Sequence, residues 1–240
     1  MSRRLARLTQ DTLADLPASV RADVLWEVDP VRRRRLEDRE PEEARPMAEA
    51  EKAAWVSQVL LEWGSCGRVA YVDDVPAGFV QYAPPAWFPG TSSFATAPLS
   101  EDAVQLATVT VFDEYAGAGL GRVLLQVMAR DLVKRGGTKA VEAIASARAD
   151  DLSSGCGPVP VEFLQRVGFR TARAHPTHPR MRLDLRTTVS WRAEVGTAWE
   201  RLIGVVRPSA PAPTPVSRRP VVIPRKSPDG PSGLARHAGA

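Results

Sequence analysis

The segment best suited to chemistry is a run of alternating glycines, Gly117, Gly119 and Gly121. Before it, residues 107–112 are mostly β-branched or apolar, as in a buried strand. After it, apolar residues recur every three or four positions up to Leu132, as on one face of an amphipathic helix. The pattern therefore predicts a strand, a glycine turn and a helix over residues 107–135.

The start of this predicted helix has no capping side chain. No Ser, Thr, Asp or Asn directly precedes Leu120, so the first-turn N–H groups lack a side-chain acceptor. Glycines let a ligand approach these amides closely, and the helix dipole favours an anion there. The segment therefore predicts a phosphate-binding turn, although a glycine turn that only packs the helix on the strand is the alternative.

The spacing of the glycines narrows the kind of phosphate site. A nucleotide P-loop needs Gly-Lys-Ser/Thr, whereas Gly121 is followed by Arg122 and Val123. A dinucleotide-binding fingerprint needs its third glycine at position 122, which is again Arg122. Neither pattern fits this chain.

Two segments resemble the GNAT (Gcn5-related) N-acetyltransferase family. Residues 111–121 (Val-Phe-Asp-Glu-Tyr-Ala-Gly-Ala-Gly-Leu-Gly) are similar to its acyl-CoA pyrophosphate loop, Arg/Gln-x-x-Gly-x-Gly/Ala. Residues 163–170 (Phe-Leu-Gln-Arg-Val-Gly-Phe-Arg) are similar to its F-Y-x-x-x-G-F segment. Ala116 stands where the family usually has Arg or Gln, and Leu164 replaces its frequent tyrosine, a proposed proton donor. The resemblance covers about residues 1–185.

The resemblance implies an acetyltransferase that moves the acetyl group of acetyl-CoA, its cosubstrate, to a primary amine by direct attack in a ternary complex. The alternative is a CoA-binding regulatory module without transfer activity. By the same resemblance, a backbone N–H near Val111 polarises the thioester carbonyl. Glu142, on the strand beside the central one, is the first candidate for the general base, ahead of Glu114 and Asp102. The implied cofactor-binding residues are Val109, Thr110 and Val111 for pantetheine and Gly117, Ala118, Gly119, Leu120, Gly121 and Arg122 for the pyrophosphate.

The remaining patterns predict an α/β fold, a GNAT-like, mixed and largely antiparallel central sheet flanked by helices. The hairpin over residues 68–82 lacks a clean two-residue turn, so its register is open. The long segment 84–100, with Trp87 and Phe88, is either a lid over the acceptor or a loop anchored to the core. Strands are predicted at residues 4–9, 68–72, 77–82, 107–112, 140–145, 169–174 and 181–185, and helices from residue 11 and at 44–63, 120–135, 161–167 and 191–205.

Charge and composition divide the chain in two. Six Lys or Arg residues and a single Asp lie in residues 207–240, so this segment carries +5 and the other 206 residues carry −1 of the net charge of +4. The same segment is rich in proline and has no apolar periodicity, which predicts a disordered Pro/Arg-rich tail after a GNAT-like domain at residues 1–206. A tail that binds nucleic acid is the weaker hypothesis.

Several other classes of protein are disfavoured. The chain has no apolar run of membrane-spanning length and no signal sequence, which predicts a cytoplasmic protein. Cys66 and Cys156 are therefore expected to be reduced and buried. His175 and His178 lack a third ligand, so no metal site is predicted. The sequence leaves open the acceptor and the oligomeric state, a dimer included.

Overall fold

The central sheet has eight strands in the computed structural model, which describes residues 2–148 and 156–185. The strand order is β1-β2-β3-β4-β5-β8-β7, and β6 pairs with β5. The β4–β5 and β5–β6 pairs are parallel and the described others antiparallel, which confirms the predicted fold class. The strands are β1 (Arg3–Arg7), β2 (Gly67–Val72), β3 (Val75–Ala83), β4 (Ala103–Val111), β5 (Ala140–Ser146), β6 (Val159–Pro160), β7 (Arg170–Arg173) and β8 (Arg180–Asp184).

Helices cover both faces of this sheet. On one face, Trp55 and Val56 pack in the same buried cluster as Phe79 of β3. On the other face, Leu124 and Leu164 share a buried cluster with β-strand residues such as Val80. The first face carries the first four helices and the second face carries the last two. The helices are α1 (Gln10–Ala14), α2 (Ala18–Arg21), α3 (Pro30–Glu37), α4 (Pro41–Glu62), α5 (Leu120–Arg135) and α6 (Val161–Arg166).

Helix α4 begins three residues before the predicted start at residue 44. Pro41 occupies its first turn, where a missing N–H costs no hydrogen bond. Gly64 follows the helix with a φ of 81°, a left-handed conformation typical of a residue just after a helix. The buried face of α4 consists of Ala48, Lys52, Trp55, Val56 and Val59, of which Lys52 is the single polar member.

The turn of the β2–β3 hairpin is tighter than predicted, although the register shifts between Ala70 and Tyr71. Val72 pairs directly with Val75, so Asp73 and Asp74 form a clean two-residue turn. Both aspartates have positive φ, 48° and 63°. Such turns match the twist of paired strands, and Asp tolerates the left-handed conformation better than most residues. The expectation of an irregular hairpin loop was therefore wrong.

Strand β4 contains one extra residue where it pairs with β3. Gln81 lies opposite Thr108 and its neighbour Tyr82 lies opposite Leu106, so Ala107 is left over as a β-bulge. A bulge bends the strand that carries it and increases its twist. Pairing between β4 and β5 accordingly stops at Gln105. The sheet opens between these two strands from that point on.

Two further features concern the thiols and the remaining sequence predictions. Cys66 and Cys156 are free and buried, as predicted, and burial raises the pKa of each thiol to about 12. None of the described helices is long and apolar enough to span a membrane. The predicted helix at 191–205, the domain boundary after residue 206 and the disordered tail lie outside the described residues.

Candidate active site

The glycine turn leaves open space at the start of α5. Gly119 is the N-cap residue with a φ of 77°, Gly117 has a φ of 76°, and no side chain caps the helix. The first backbone bond into α5 runs from the Val123 N–H to the Gly119 carbonyl, at 3.2 Å. A Cβ built on Gly117 or Gly119 would meet no atom within 4 Å. An anion can therefore reach the first-turn amides of α5 without steric hindrance.

The third glycine has a different role. A Cβ on Gly121 would lie 3.1 Å from the Phe163 Cζ atom on α6 and 3.6 Å from the Val111 Cγ2 atom on β4. Gly121 thus lets α5 pack closely against its neighbours, whereas Gly117 and Gly119 keep a ligand surface open. This contact also explains why the two sequence motifs, at 111–121 and 163–170, come together in the fold.

The backbone of β4 offers hydrogen-bonding groups to the opening beside β5. The Phe112 N–H donates to the carbonyl of Ala77 in β3 at 3.0 Å. Because N–H and C=O groups alternate sides along an antiparallel pair, the backbone of Thr110 also faces β3. The backbone N–H and C=O groups of Val109 and Val111 therefore point away from β3, into the opening between β4 and β5. The geometry therefore favours Val109 and Val111 as backbone partners of an extended ligand, but not Thr110.

Glu142 has a full set of structural partners. It is completely buried. Its carboxylate accepts hydrogen bonds from the Ser100 hydroxyl (2.8 Å), the Ser100 amide (2.9 Å) and Arg182 Nη1 (3.1 Å). Arg180 Nε lies 3.7 Å from its second oxygen. These contacts join β5, β8 and the segment before β4, and they argue for a structural role instead of the predicted one as base.

This structural role makes a prediction for Glu142→Gln. The substitution places an amide NH₂ against donors, and we expect the free energy of unfolding to fall by about 1–3 kcal/mol. The Kd for acetyl-CoA should stay unchanged. Urea unfolding and calorimetry measure the two quantities.

Asp184→Asn is the matched control for Glu142→Gln. Asp184 also binds Arg182, at 2.9 Å, but its side chain is 59% exposed. Its loss should therefore change the unfolding free energy by less than about 1 kcal/mol. A Glu142→Gln variant as stable as the wild type but without turnover would restore Glu142 as the base.

The two other carboxylates considered as bases are no better placed. Asp102 accepts two hydrogen bonds from Arg182, at 3.0 and 3.1 Å, and these bonds lower the pKa of its carboxyl group. Glu114 is exposed in a short 3-10 helix, Asp113–Tyr115, that precedes the glycine turn. Leu164, at the family's tyrosine position, is fully buried in the core.

A buried polar cluster that the sequence reasoning missed lies on the α1–α4 face of the sheet. It comprises Glu27, Lys52 and Gln81. Lys52 Nζ is 2.7 Å from Glu27 Oε1, and the side chains are 2% and 0% exposed. Gln81 Nε2 donates to the same oxygen at 2.6 Å, and Lys52 also donates to the Asp23 carbonyl. Burial lowers the pKa of Lys52, but the Glu27 carboxylate, its hydrogen bond and the neighbouring Cys156 and Asp23 together outweigh burial, so the pKa lies above its ordinary value.

Two acceptor atoms of this cluster remain unused. Glu27 Oε2 and Gln81 Oε1 are buried and have no hydrogen-bond partner within the part of the chain that the structure describes. Gln81 pairs in register with Thr108, the residue that follows the bulge at Ala107. The unused oxygens therefore belong to a cluster at the position where β4 leaves β5. Buried acceptors without partners are unfavourable, and a ligand with N–H groups satisfies them.

The segment that carries Glu27 is held by several neighbours. The Trp26 indole N–H donates to the Cys156 carbonyl at 2.9 Å, and its ring stacks on Phe94 at 5.2 Å. The Gly90 N–H donates to the Trp26 carbonyl at 3.0 Å, and a Cβ on Gly90 would lie 1.9 Å from the Leu25 oxygen. This close approach fixes the backbone on which Glu27 is mounted.

The 84–100 segment is attached to the core through its aromatic residues. Phe88 is 1% exposed and stacks on Trp55, with 5.1 Å between the ring centroids. The Trp87 carbonyl accepts a hydrogen bond from the Trp55 indole at 2.6 Å. Of the two predicted roles for this segment, a lid or an anchored loop, these contacts support the anchored loop.

His175 and His178 form hydrogen bonds within the loop between β7 and β8. His175 Nδ1 accepts hydrogen bonds from the amides of Thr177 and His178, at 3.3 and 3.0 Å. Throughout the described residues, no three His, Cys, Asp or Glu side chains are grouped so that they could hold a metal ion.

Comparison with known proteins decides the family. The model of the acetyltransferase (GNAT) family matches residues 28–169, more than half of the chain. The chain belongs to the GNAT acetyltransferase family. It is thus an acyl-CoA-dependent N-acyltransferase of the GNAT type, and the cosubstrate of this family is acetyl-CoA.

Solved structures of acetyltransferases are similar to this chain at low sequence identity. A putative acetyltransferase, yncA, from Salmonella typhimurium, solved with acetyl-CoA, is 16% identical with a TM-score of 0.50 over 77% of this chain and 95% of that one. The paiA N-acetyltransferase of Thermoplasma acidophilum, solved with coenzyme A, is 14% identical with a TM-score of 0.47 over 77% and 99%. No curated protein sequence matches this chain.

Proposed function

We propose that this GNAT protein transfers the acetyl group of acetyl-CoA to a primary amine by direct attack in a ternary complex. One observation carries the proposal: β4 leaves β5 after Gln105, beside the uncapped start of α5. This arrangement supplies an anion site and a free strand edge next to each other. A pyrophosphate and a pantetheine arm need both.

The cosubstrate is proposed to lie along these two features. Its pyrophosphate accepts hydrogen bonds from the amides of residues 117–122, and Arg122 in the first turn adds positive charge. Its pantetheine amides pair with the backbone of Val109 and Val111. The thioester then lies in the opening between β4 and β5.

The chemical step proceeds without a covalent enzyme intermediate. The amine nitrogen attacks the thioester carbonyl carbon, a C–N bond forms and the C–S bond breaks. The Val111 N–H is proposed to stabilise the oxyanion of the tetrahedral intermediate. The leaving group is the CoA thiolate, which takes up a proton from water. A thiolate with a pKa of about 8.5 leaves readily, so the leucine at position 164 does not prevent the reaction.

The acceptor must lose a proton before it attacks, and we infer that Glu27 receives it. An ammonium group that reaches the unused Glu27 Oε2 is desolvated and lies near the positive charge of Lys52. Desolvation and the Lys52 charge disfavour the ammonium form, whereas the Glu27 carboxylate attracts it and, on taking up the proton, leaves the free amine. Gln81 holds the carboxylate in place through its 2.6 Å hydrogen bond.

The test is the release of free CoA from acetyl-CoA across a panel of primary amines, with mass spectrometry of the products. A thiol reagent can follow the reaction, because Cys66 and Cys156 are buried, neutral thiols with pKa values of about 12. Acetylated product supports the proposal. Tight CoA binding without turnover of any amine would instead support a regulatory CoA-binding module.

The role of Glu27 is tested by the double variant Glu27→Gln/Lys52→Met. Removal of both charges together avoids an unpaired buried ion, so the fold should be retained. We expect kcat/KM for the amine that is turned over to fall by about 100-fold or more, the usual contribution of a general base. The Kd for acetyl-CoA should not change. Full activity in the double variant would exclude Glu27 as the base.

A further inference from the structure

A cavity of about 710 Å³ lies among α2, α3, α4 and the segment before β6. This volume is in the range of sites that bind small molecules. Part of its wall is apolar and comes from Val24, Leu36 and Ala48, which form one buried cluster. The cavity is separate from the glycine turn, whose residues do not contribute to its lining.

The charged residues of the cavity are of both signs. Arg33 and Glu37 line it, and they form an ion pair at 3.3 Å on α3. Asp23 lines it as well, with one carboxylate oxygen bound to the Leu25 amide at 3.0 Å. Arg45 is exposed, and its guanidinium group has no ion-pair partner among residues 2–148 and 156–185. The cavity therefore offers a carboxylate and one unneutralised cation beside an apolar wall.

The cavity adjoins the proposed reaction site. Gly157 lines it, and the Gly157 carbonyl lies 3.4 Å from the Thr108 hydroxyl on β4, next to the bulge. Ala48 also lines it, and Lys52 follows one turn later on the same buried face of α4. A molecule in the cavity is thus close to both the opening of the sheet and the Glu27–Lys52 pair.

We propose that this cavity binds the acceptor and that the acceptor is an amine with a carboxylate and an apolar side chain, such as an apolar amino acid or a short peptide. The inference rests on the proposed acetyl transfer. Arg45 binds the carboxylate, the apolar wall buries the side chain, and the amine faces the acidic groups. A carboxylate fits better than a phosphate, because a second negative charge would be repelled by Asp23 and Glu37.

The experiment compares probes that differ only in the carboxylate. L-phenylalanine and leucyl-phenylalanine are assayed beside their C-terminal amides, with CoA release as the readout. Thermal shifts in the presence of CoA measure binding of the same probes independently of turnover. We expect kcat/KM to be about tenfold higher for each carboxylate than for its amide, since one charge-assisted hydrogen bond contributes at least that factor.

The assignment of the carboxylate to Arg45 is tested with Arg45→Gln. This variant should raise KM for the carboxylate probes about tenfold and leave the amides unaffected. Arg34→Gln is the matched control, since Arg34 is an exposed arginine of α3 that does not line the cavity.

Each remaining outcome has a distinct meaning. Equal use of acids and amides, or equal effects of the two arginine variants, would overturn the inference while the proposed function stands. If the protein binds acetyl-CoA but neither binds nor acetylates any amine, both the inference and the proposed function would be overturned.

Discussion

Gly119→Asp should abolish acetyl-CoA binding while the protein stays folded. The new side chain would occupy the open space above the first turn of α5, where no atom now lies within 4 Å. Its negative charge would stand where the pyrophosphate is proposed to bind, and repulsion at such short range is large. We expect the Kd for acetyl-CoA to rise by about 100-fold or more, equivalent to about 2.7 kcal/mol. Calorimetry with acetyl-CoA measures it directly.

The control for this variant is Gly137→Asp, at the opposite end of α5. Gly137 has nearly the same φ, 78° against 77° for Gly119, and the same open space around a Cβ. The strain of a side chain at positive φ is therefore matched, and an acid near a helix C-terminus adds a small further penalty. If Gly137→Asp binds acetyl-CoA normally and Gly119→Asp also does, the glycine turn is not the pyrophosphate site.

Local sequence signals predicted the structure of the segment that is proposed to bind the cosubstrate. The glycine spacing, the uncapped helix start and the apolar periodicity all lie within residues 107–135, and α5 has the predicted bounds. Such features depend on backbone geometry within one or two turns, so sequence patterns report them well. The packing role of Gly121 could not be predicted from the sequence, because its neighbour Phe163 lies in another helix.

The residues considered for proton transfer depend on contacts between distant segments. Glu142 was chosen for its strand, but the sequence does not show that Ser100 and Arg182 surround it. The proposed role of Glu27 rests on its contacts with Lys52 and Gln81, which lie 25 and more residues away in the chain. One signal was present: Lys52 interrupts the apolar face of α4, and a lysine at a core position of a helix is rarely buried without a partner.

The direction of the β4 backbone was also undetermined by sequence alone. Because of the bulge at Ala107, the alternation of backbone N–H and C=O groups between β3 and the opening is shifted by one residue along β4. The family resemblance predicts Thr110 as a backbone partner together with Val109 and Val111, whereas the backbone of Thr110 is directed to β3. A β-bulge leaves no reliable pattern in a strand that is buried on both faces, because the usual alternation is absent there.

The second large effect is expected from Lys52→Met. The substitution keeps an apolar stem of similar length but removes the ammonium group that lies 2.7 Å from Glu27 Oε1. The Glu27 side chain is 0% exposed, so its charge would remain buried without a counter-ion. Breaking a buried pair from one side typically costs about 3–5 kcal/mol. Urea unfolding at pH 7 should show a loss of this size.

The double variant separates charge from packing in this prediction. Glu27→Gln/Lys52→Met has no buried charge at this position, so its unfolding free energy should lie within about 1.5 kcal/mol of the wild type. If the single and double variants are equally unstable, the lysine stem rather than its charge stabilises α4 against the sheet.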